Sequence, residues 1–496
     1  MSAAAQILEQ LRHQGVEPTG LCADSRQLRR GEVFVALPGS RSDGRAHVAD
    51  AVAAGAAAVL WERQGQAPAA IAVPNIGVTG LAALSGELAK RVYGAPSQRL
   101  WMVGVTGTNG KTSVSLWIAQ ALSAAGRRCA VVGTLGSGYP GELQASPNTT
   151  PDAISLQRRL ADFVAGGAQA CAMEVSSIGL AEGRVAAVDF DLALFTNLSR
   201  DHLDYHPNME AYAAAKAALF EAPGLSAAVL NLDDPRGREI AKMLAGKGVR
   251  RIGYTLDDAA AHADLVDEIV FAEALHFGSA GLGFRVRHGA TMAEVVAPLL
   301  GRFNAANLLA VIGALLASGV HLDRAVAQLA HLSAPPGRMQ AVPGSAHEPL
   351  LVVDYAHTPD ALEQALTTLR EVARARGGKL HCLFGCGGER DPGKRPLMGA
   401  VAERLADRVV VTSDNPRREA PAAIIDDILR GMATEPLVEP ERASAIRLAV
   451  AGAAAPDVVL LAGKGHESYQ EVADRRLPFS DLVEAGKALA ARSSQP

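Results

Sequence analysis

The chain has 496 residues, 49% of them apolar but only 4% aromatic, with 20% charged and a formal net charge of −4. That length exceeds what one hydrophobic core serves and predicts about three domains. With no basic stripe or tail, the charge balance excludes a general nucleic-acid or membrane-surface binder and leaves small molecules as partners.

Much of the apolar share is alanine, so short-side-chain helices packed close on sheets, an α/β fold, are expected. In chain order, Ile7 to Arg12 carries charges where a signal peptide needs its apolar core. The apolar run Val52 to Trp61 is about half a membrane span. A cytoplasmic chain without membrane insertion is expected. Cys22, Cys129, Cys171, Cys382 and Cys386 are scattered without metal-type spacing, which fits a reducing compartment; Cys382 and Cys386 read as strand and loop residues. The breaks Tyr93-Gly94-Ala95-Pro96-Ser97 and Leu332 to Arg338 divide the chain into 1–96, 97–334 and 335–496.

The first segment predicts strands at Val33 to Leu37, Ala57 to Trp61 and Ile71 to Val73, with a helix over 46–54. The second alternates strand and helix: Leu100 to Val105, Ser113 to Ala124, Ala130 to Val132, Ile154 to Ala165, Ala170 to Val175, Leu192 to Thr196 and Glu210 to Phe220. Such alternation predicts a mostly parallel sheet with helices on both faces. The third repeats the style with strands at Leu350 to Asp354, Leu380 to Phe384, Val409 to Thr412 and Val458 to Leu461, each running into a polar or Gly-rich loop where open α/β sheets hold ligands.

The loop Gly107-Thr108-Asn109-Gly110-Lys111-Thr112-Ser113 stands between a predicted strand and a predicted helix, the arrangement of a phosphate cradle. Its glycines let backbone N–H groups approach phosphate, Lys111 supplies positive charge and Thr112 a hydroxyl for Mg²⁺. It is a variant, with Val105 where the usual pattern has its first glycine and glycines at 104 and 107 instead. Glu174, ending a buried-type strand, can supply a second Mg²⁺ ligand, where a strand-end Glu is otherwise often simply solvated. Asp201-His202-Leu203-Asp204-Tyr205-His206 lacks the Glu of a His-Glu-x-x-His zinc site and reads as a loop completing the phosphate and Mg²⁺ site. Lys216 lies among apolar neighbours; such a lysine usually snorkels to the surface, and if buried beside cations its amine would become neutral enough to add CO₂ as a carbamate. Asp354 to Pro359, Gly385 to Asp391, Asp414-Asn415-Pro416-Arg417 and Gly463-Lys464-Gly465-His466-Glu467 all follow strands, and their arginines suit a carboxylate ligand.

Together these motifs closely resemble the muramyl peptide ligases, in the family's order and over nearly the whole chain. The resemblance implies three domains: an N-terminal UDP-sugar domain, a central P-loop-type mostly parallel ATPase domain and a C-terminal Rossmann-like amino-acid domain. It implies that ATP phosphorylates the terminal carboxylate of a UDP-muramoyl dipeptide and that an amino acid's amine attacks the acyl phosphate, in peptidoglycan precursor synthesis. The implied cofactors are ATP, Mg²⁺ and a CO₂-derived carbamate on Lys216, in a monomeric chain. Lys111, Lys216, His202 and His357 are the implied catalytic residues; Thr112, Glu174, His202 and Lys216 the metal ligands. The loop, with Asn304, Arg338 and Asp354, implies the nucleotide contacts, and Asn307 a further nucleotide-side or hinge contact. Asp24-Ser25-Arg26 matches a UDP-contacting motif, and Ser40 to Ser42 a second uridine-side position. Asn148, Thr149, Thr150, Ser176, Glu182 and Arg184 match positions contacting the muramyl dipeptide, though Ile178 and Glu182 depart from the family's common His and Gln.

On the amino-acid side, Arg390, Asp414, Asn415, Pro416, Arg417, Gly463 and Glu467 are implied. Arg417 with Arg390 suits the extra carboxylate of meso-2,6-diaminopimelate, and Glu467 its distal ammonium. L-lysine would leave Arg417 unpaired, so diaminopimelate is favoured. The alternatives are the same ligase specific for L-lysine and a folylpolyglutamate-type ligase; the latter would not explain the N-terminal segment or Asp414 to Arg417. A GTPase-type switch is disfavoured because Asn231-Leu232-Asp233-Asp234 lacks the guanine-reading Lys.

Overall fold

The computed structural model describes residues 1–39, 43–65, 67–68, 71–146, 148–278, 281–297, 299, 301–330, 332–342, 344–345 and 347–493. The expected uridine-side residues Ser40 to Ser42 lie outside the described residues. Among the described residues three large sheets carry the fold, with a two-stranded hairpin besides.

Four parallel strands, Leu21–Cys22, Val33–Ala36, Ala58–Glu62 and Asn75–Val78, form the first in chain order. The strand expected at Ile71 to Val73 is corrected to Asn75–Val78. Proline lacks an N–H and starts strands more readily than it continues them; here Pro74 gives its carbonyl to Val59 N–H at 3.0 Å, and pairing begins at Asn75. The helix expected over 46–54 forms as a short 3₁₀ turn, Gly44–His47, running into Val48–Ala53.

The second sheet has eleven strands, and the strand Trp101–Thr106 lies inside it, parallel to Leu192–Phe195 on one side and Ala170–Glu174 on the other. Beyond these lie Ala227–Asn231 and Cys129–Gly133, so the chain leaves its central strand in both directions. A reversal of that kind opens a crevice at the strands' C-terminal ends, and the Gly107 loop sits in it. Burial on both faces follows strand alternation. Val103 and Val105 belong to the core on one face with Trp117 and Leu308 of the helices Lys111–Ala124 and Arg302–Ala317, while Met102 belongs to the core on the other with Leu156 and Leu160 of Ala153–Ala165. Antiparallel strands extend both ends of the sheet, among them Gly281–His288 and Thr291–Ala297 at one end and Gly136–Tyr139 at the other.

The third sheet runs Gln340–Ala341, Leu350–Asp354, Val458–Ala462, Leu380–Phe384, Arg408–Val411, Leu437–Val438, parallel except for the first. Asp354 is in register with Ala462, so the loops that follow these strands leave along one edge. A separate hairpin, Tyr469–Val472 with Arg475–Pro478, closes beside them. All five cysteines are free and buried, and burial pushes the Cys129 and Cys386 thiols up to about 12. Among the described residues no helix is long and apolar enough to cross a membrane.

Candidate active site

The cradle depends on two glycines. Gly107 and Gly110 have φ of +144° and +87°, and a Cβ on Gly107 would lie 1.9 Å from Thr196 Oγ1. Lys111 folds back over the loop, donating to the carbonyls of Gly107 at 2.9 Å and Thr108 at 2.8 Å. Register places Glu174 opposite Val105, beside the loop, where its carboxylate accepts from Thr112 Oγ1 at 3.0 Å. Thr134 fixes that carboxylate from the other side, with N at 2.8 Å and Oγ1 at 3.1 Å. A buried hydroxyl and carboxylate converging at a helix N-terminus form a hard-oxygen pair that fits Mg²⁺.

Asn208 caps the helix Met209–Ala217 by accepting from Ala211 N at 2.8 Å, and the four-residue spacing turns Tyr212 and Lys216 inward together. Lys216 is only 2% exposed, so the surface position usual for such a lysine is corrected to a buried one. Its Nζ donates to Gly107 O at 2.7 Å and lies 4.4 Å from the Tyr212 ring centre. Burial, and then the charge of Lys111, push its amine well below the usual lysine range. A neutral amine is the form that adds CO₂.

Asp201 gathers groups from two sheets. His202 Nε2 lies 3.5 Å and His357 Nε2 3.6 Å from its Oδ2, and Lys394 Nζ 3.6 Å from its Oδ1. Two flanking pairs run the same way, Arg200 with Asp391 at 3.0 Å and Arg390 with Asp204 at 3.6 Å, and Asn109 Nδ2 donates to Asp360 at 2.9 Å. Burial pushes His202 down to about 4, which keeps its imidazole neutral and able to ligate a cation. His206 is buried against Ser177 Oγ at 3.0 Å, a structural role. Among the described residues no three His, Cys, Asp or Glu converge as a metal site. Of the expected ligands, Thr112 and Glu174 meet directly, while His202 and Lys216 both lie against the Tyr212 ring, the imidazole centre at 6.0 Å and Nζ at 4.4 Å from its centre.

Beside the loop lies a cavity of about 290 Å³ whose lining includes Gly110, Ser113, Asn231, Tyr254, Asn304 and Asn307. Arg338 reaches it from the break near 335, donating to Thr112 Oγ1 at 3.3 Å and stacking 4.6 Å from the Tyr355 ring centre. Asp354 also lines it, but its two oxygens already accept from Met339 N at 2.7 Å and Ala356 N at 2.8 Å, which pins the hinge to the sheet. Asp233 and Asp234 are likewise committed, to Thr255 and Leu256 and to Leu198 N respectively.

Around the end of the Glu174 strand, Thr150 Oγ1 donates to Glu174 O at 3.0 Å and lies 3.1 Å from Ser176 Oγ, Thr149 Oγ1 meets Thr134 Oγ1 at 3.0 Å, and Arg184 Nη1 donates to Thr150 O at 2.8 Å. Glu182 accepts from Arg184 Nε at 2.8 Å, so the departure at 182 places a counter-charge on that guanidinium. Asn148 is exposed, and Ser25 is half-buried in the turn after Leu21–Cys22 of the first sheet.

On the third sheet, Glu467 Oε2 accepts from Asn415 Nδ2 at 2.8 Å and from the buried Lys464 at 2.9 Å. Gly463 crosses close to Asp414, where a Cβ would meet Oδ2 at 2.4 Å. Arg390 and Arg417 flank one backbone position, since a Cβ on Gly387 would lie 3.6 Å from Arg390 Cγ and 3.0 Å from Arg417 Nη1. Gly388 N donates to Asn415 O at 2.9 Å, drawing the loop carrying Pro416 across. Sequence reasoning missed Thr134, Lys394 and Asp360. Of these only Lys394 had a signal, a lysine closing the Gly-rich loop that begins at Gly385.

A phosphate cradle with hard-oxygen partners, facing Arg-, Asp- and Glu-bearing loops across one cleft, is the layout of an ATP-dependent ligase, and the chain belongs to the Mur ligase family. The family's catalytic-domain model matches residues 17–93, its middle-domain model 105–315 and its glutamate ligase domain model 337–465. Over 477 residues the chain is 54% identical to UDP-N-acetylmuramoyl-L-alanyl-D-glutamate--2,6-diaminopimelate ligase of Pseudomonas aeruginosa, covering 95% of each chain. A solved structure of an enzyme of that same name superposes with a TM-score of 0.65 at 37% identity, over 96% of both chains. The MurF ligase of Thermotoga maritima in complex with ADP shares the fold, with a TM-score of 0.68 at 17% identity over 95% of this chain and 97% of that one.

Proposed function

We infer that this chain is an ATP-dependent, ADP-forming ligase that joins 2,6-diaminopimelate to the glutamyl carboxylate of UDP-N-acetylmuramoyl-L-alanyl-D-glutamate in peptidoglycan precursor synthesis. The observation that carries this reading is the identity of 54% with a relative of that activity over 95% of both chains. Residues 1–96 serve the UDP-sugar, 97–334 the nucleotide and 335–496 the amino acid.

The reaction must first bring two anions together. A substrate carboxylate oxygen attacks the γ-phosphorus of ATP, the bond to the bridging oxygen breaks, and ADP leaves. The amine of the third residue then attacks the acyl phosphate carbon, loses a proton and expels inorganic phosphate. Lys111 draws the phosphates into the loop, and Gly107 to Ser113 supply backbone N–H groups along them. Mg²⁺ held by Thr112 and Glu174, and a second cation held by His202 and a Lys216 carbamate, would supply charge neutralisation between the anions. His357 and Lys394, by pairing with Asp201, close the amino-acid side over the phosphate side; His357 works through this closure. Asn304, Asn307 and Arg338 line the nucleotide cavity. Thr149, Thr150, Ser176 and Arg184 position the glutamyl carboxylate, and Arg390, Arg417 and Glu467 select the amino acid.

The test is a product assay with ATP, Mg²⁺, the UDP-muramoyl dipeptide and equimolar meso-diaminopimelate and L-lysine, read by mass. A diaminopimelate adduct with matching phosphate release is expected. A lysine adduct would overturn the specificity, and ATP hydrolysis without an adduct would overturn the acceptor assignment.

A further inference from the structure

Arg417 is held in a way its own loop does not explain. Its φ of +51° is in the left-handed region, which costs a side-chain-bearing residue about 1 kcal/mol or more and persists only where neighbours impose it. The neighbour is the hairpin Tyr469–Val472 and Arg475–Pro478, which lies outside the six-stranded sheet. Backbone bonds clamp Arg417 on both sides, its N donating to Glu471 O at 3.0 Å and its carbonyl accepting from Ala473 N at 2.7 Å. Side chains extend the seam, with Gln470 Nε2 donating to Asp414 O at 2.6 Å and Glu471 N donating to Asn415 Oδ1 at 2.9 Å. The guanidinium is fixed from two sides: Nε donates to Glu471 Oε2 of the hairpin at 3.1 Å, and Nη1 to Gly388 O of the loop after Leu380–Phe384 at 2.7 Å.

We propose that Glu471 is a specificity-determining positioning residue, which aims the Arg417 guanidinium at the carboxylate of the incoming amino acid. This rests on the reading of Arg417 given above. A guanidinium fork discriminates by geometry, so its worth depends on how little it must reorganise when a carboxylate arrives. With Nε and Nη1 anchored, the Nη2 side is the part of the fork left to meet substrate. A lysine substrate has no second carboxylate at that place, so misaiming the fork removes discrimination as well as affinity.

The experiment compares wild type, Glu471→Ala, Glu471→Gln and Arg417→Ala by steady-state kinetics for each of the three substrates and by competition between meso-diaminopimelate and L-lysine. Glu471→Ala is expected to raise KM for diaminopimelate by about 10- to 100-fold, the scale of a lost charge-assisted hydrogen bond. KM for ATP and for the UDP-muramoyl dipeptide stays within about twofold on that basis. The diaminopimelate-to-lysine preference falls toward that of Arg417→Ala, and Glu471→Gln, which keeps an acceptor for Nε, recovers most of both. An unchanged diaminopimelate KM and preference in Glu471→Ala overturns the proposal. So does an equal rise in all three KM values, or a Glu471→Gln variant as impaired as Glu471→Ala. Wild type forming no diaminopimelate adduct would instead overturn the underlying functional reading.

Discussion

Gly133→Ala tests the Mg²⁺ pair without touching the phosphate loop. A Cβ at Gly133 would stand 2.2 Å from Glu174 Oε1 and 2.9 Å from its Cδ and Cγ, whereas real contacts of this kind stay above about 3 Å. The carboxylate must therefore retreat by roughly 1 Å, and Glu174 is buried, so it has no solvent to swing into. Retreat lengthens the bonds from Thr134 N and Thr112 Oγ1. Overpacking of this size costs about 1–3 kcal/mol of stability. A displacement of about 1 Å in a catalytic group costs about 100-fold in kcat. The assay is phosphate release at graded Mg²⁺, alongside nucleotide binding and a thermal melt. The expected variant still folds, still binds ADP, turns over about 100-fold more slowly and needs more Mg²⁺. A kcat close to wild type with an unchanged Mg²⁺ requirement would refute the placement of the ion between Thr112 and Glu174.

Two further outcomes follow from buried bases. Burial and the charge of Lys111 lower the Lys216 amine well below the usual lysine range, which favours the neutral form that adds CO₂, so depleting dissolved CO₂ and bicarbonate is expected to lower wild-type turnover and restoring them to recover it; Lys216→Arg shows low turnover that bicarbonate does not change. His466 is pushed down to about 4 by burial, then by Arg338 and Lys464. Because the unfolded imidazole titrates near 6.5, the unfolded chain binds the extra proton first, so this group's effect is absent above about pH 6.5 and stability falls from there toward pH 4. Melting temperatures across pH 4 to 7.5 are expected to show a shallower acid decline in His466→Gln than in wild type.

What the sequence disclosed was local. The cradle reads directly because strand, glycines, Lys111 and helix are contiguous, and Glu174 reads because a carboxylate ends an apolar strand. Lys216 does not read as buried, since the helix pattern around it is mostly alanine and only the fold presses it against Gly107 and Tyr212. The meeting at Asp201 is invisible for the same reason: His357 arrives from a loop of another sheet and Lys394 from the first turn of the helix Lys394–Leu405, far along the chain. The hairpin behind Arg417 was missed because its strands carry mixed polar residues, with three of the four in Tyr469–Val472 half-buried and all of Arg475–Pro478 exposed. Pro74 misplaced one strand by a few residues, the ordinary error when a turn residue falls inside an apolar run.

Three charge pairs join residues 200–204 to 390–394, Arg200 with Asp391, Asp201 with Lys394 and Asp204 with Arg390, so each segment carries both signs. Arg200 and Arg390 keep 43% and 48% of their side chains in solvent, and exposed pairs of this kind are worth about 0–1 kcal/mol each. The outer two pairs thus set alignment at little cost to part, and the grip of the clasp rests on the middle one, where Lys394 and Asp201 keep only 6% and 8% of their side chains in solvent.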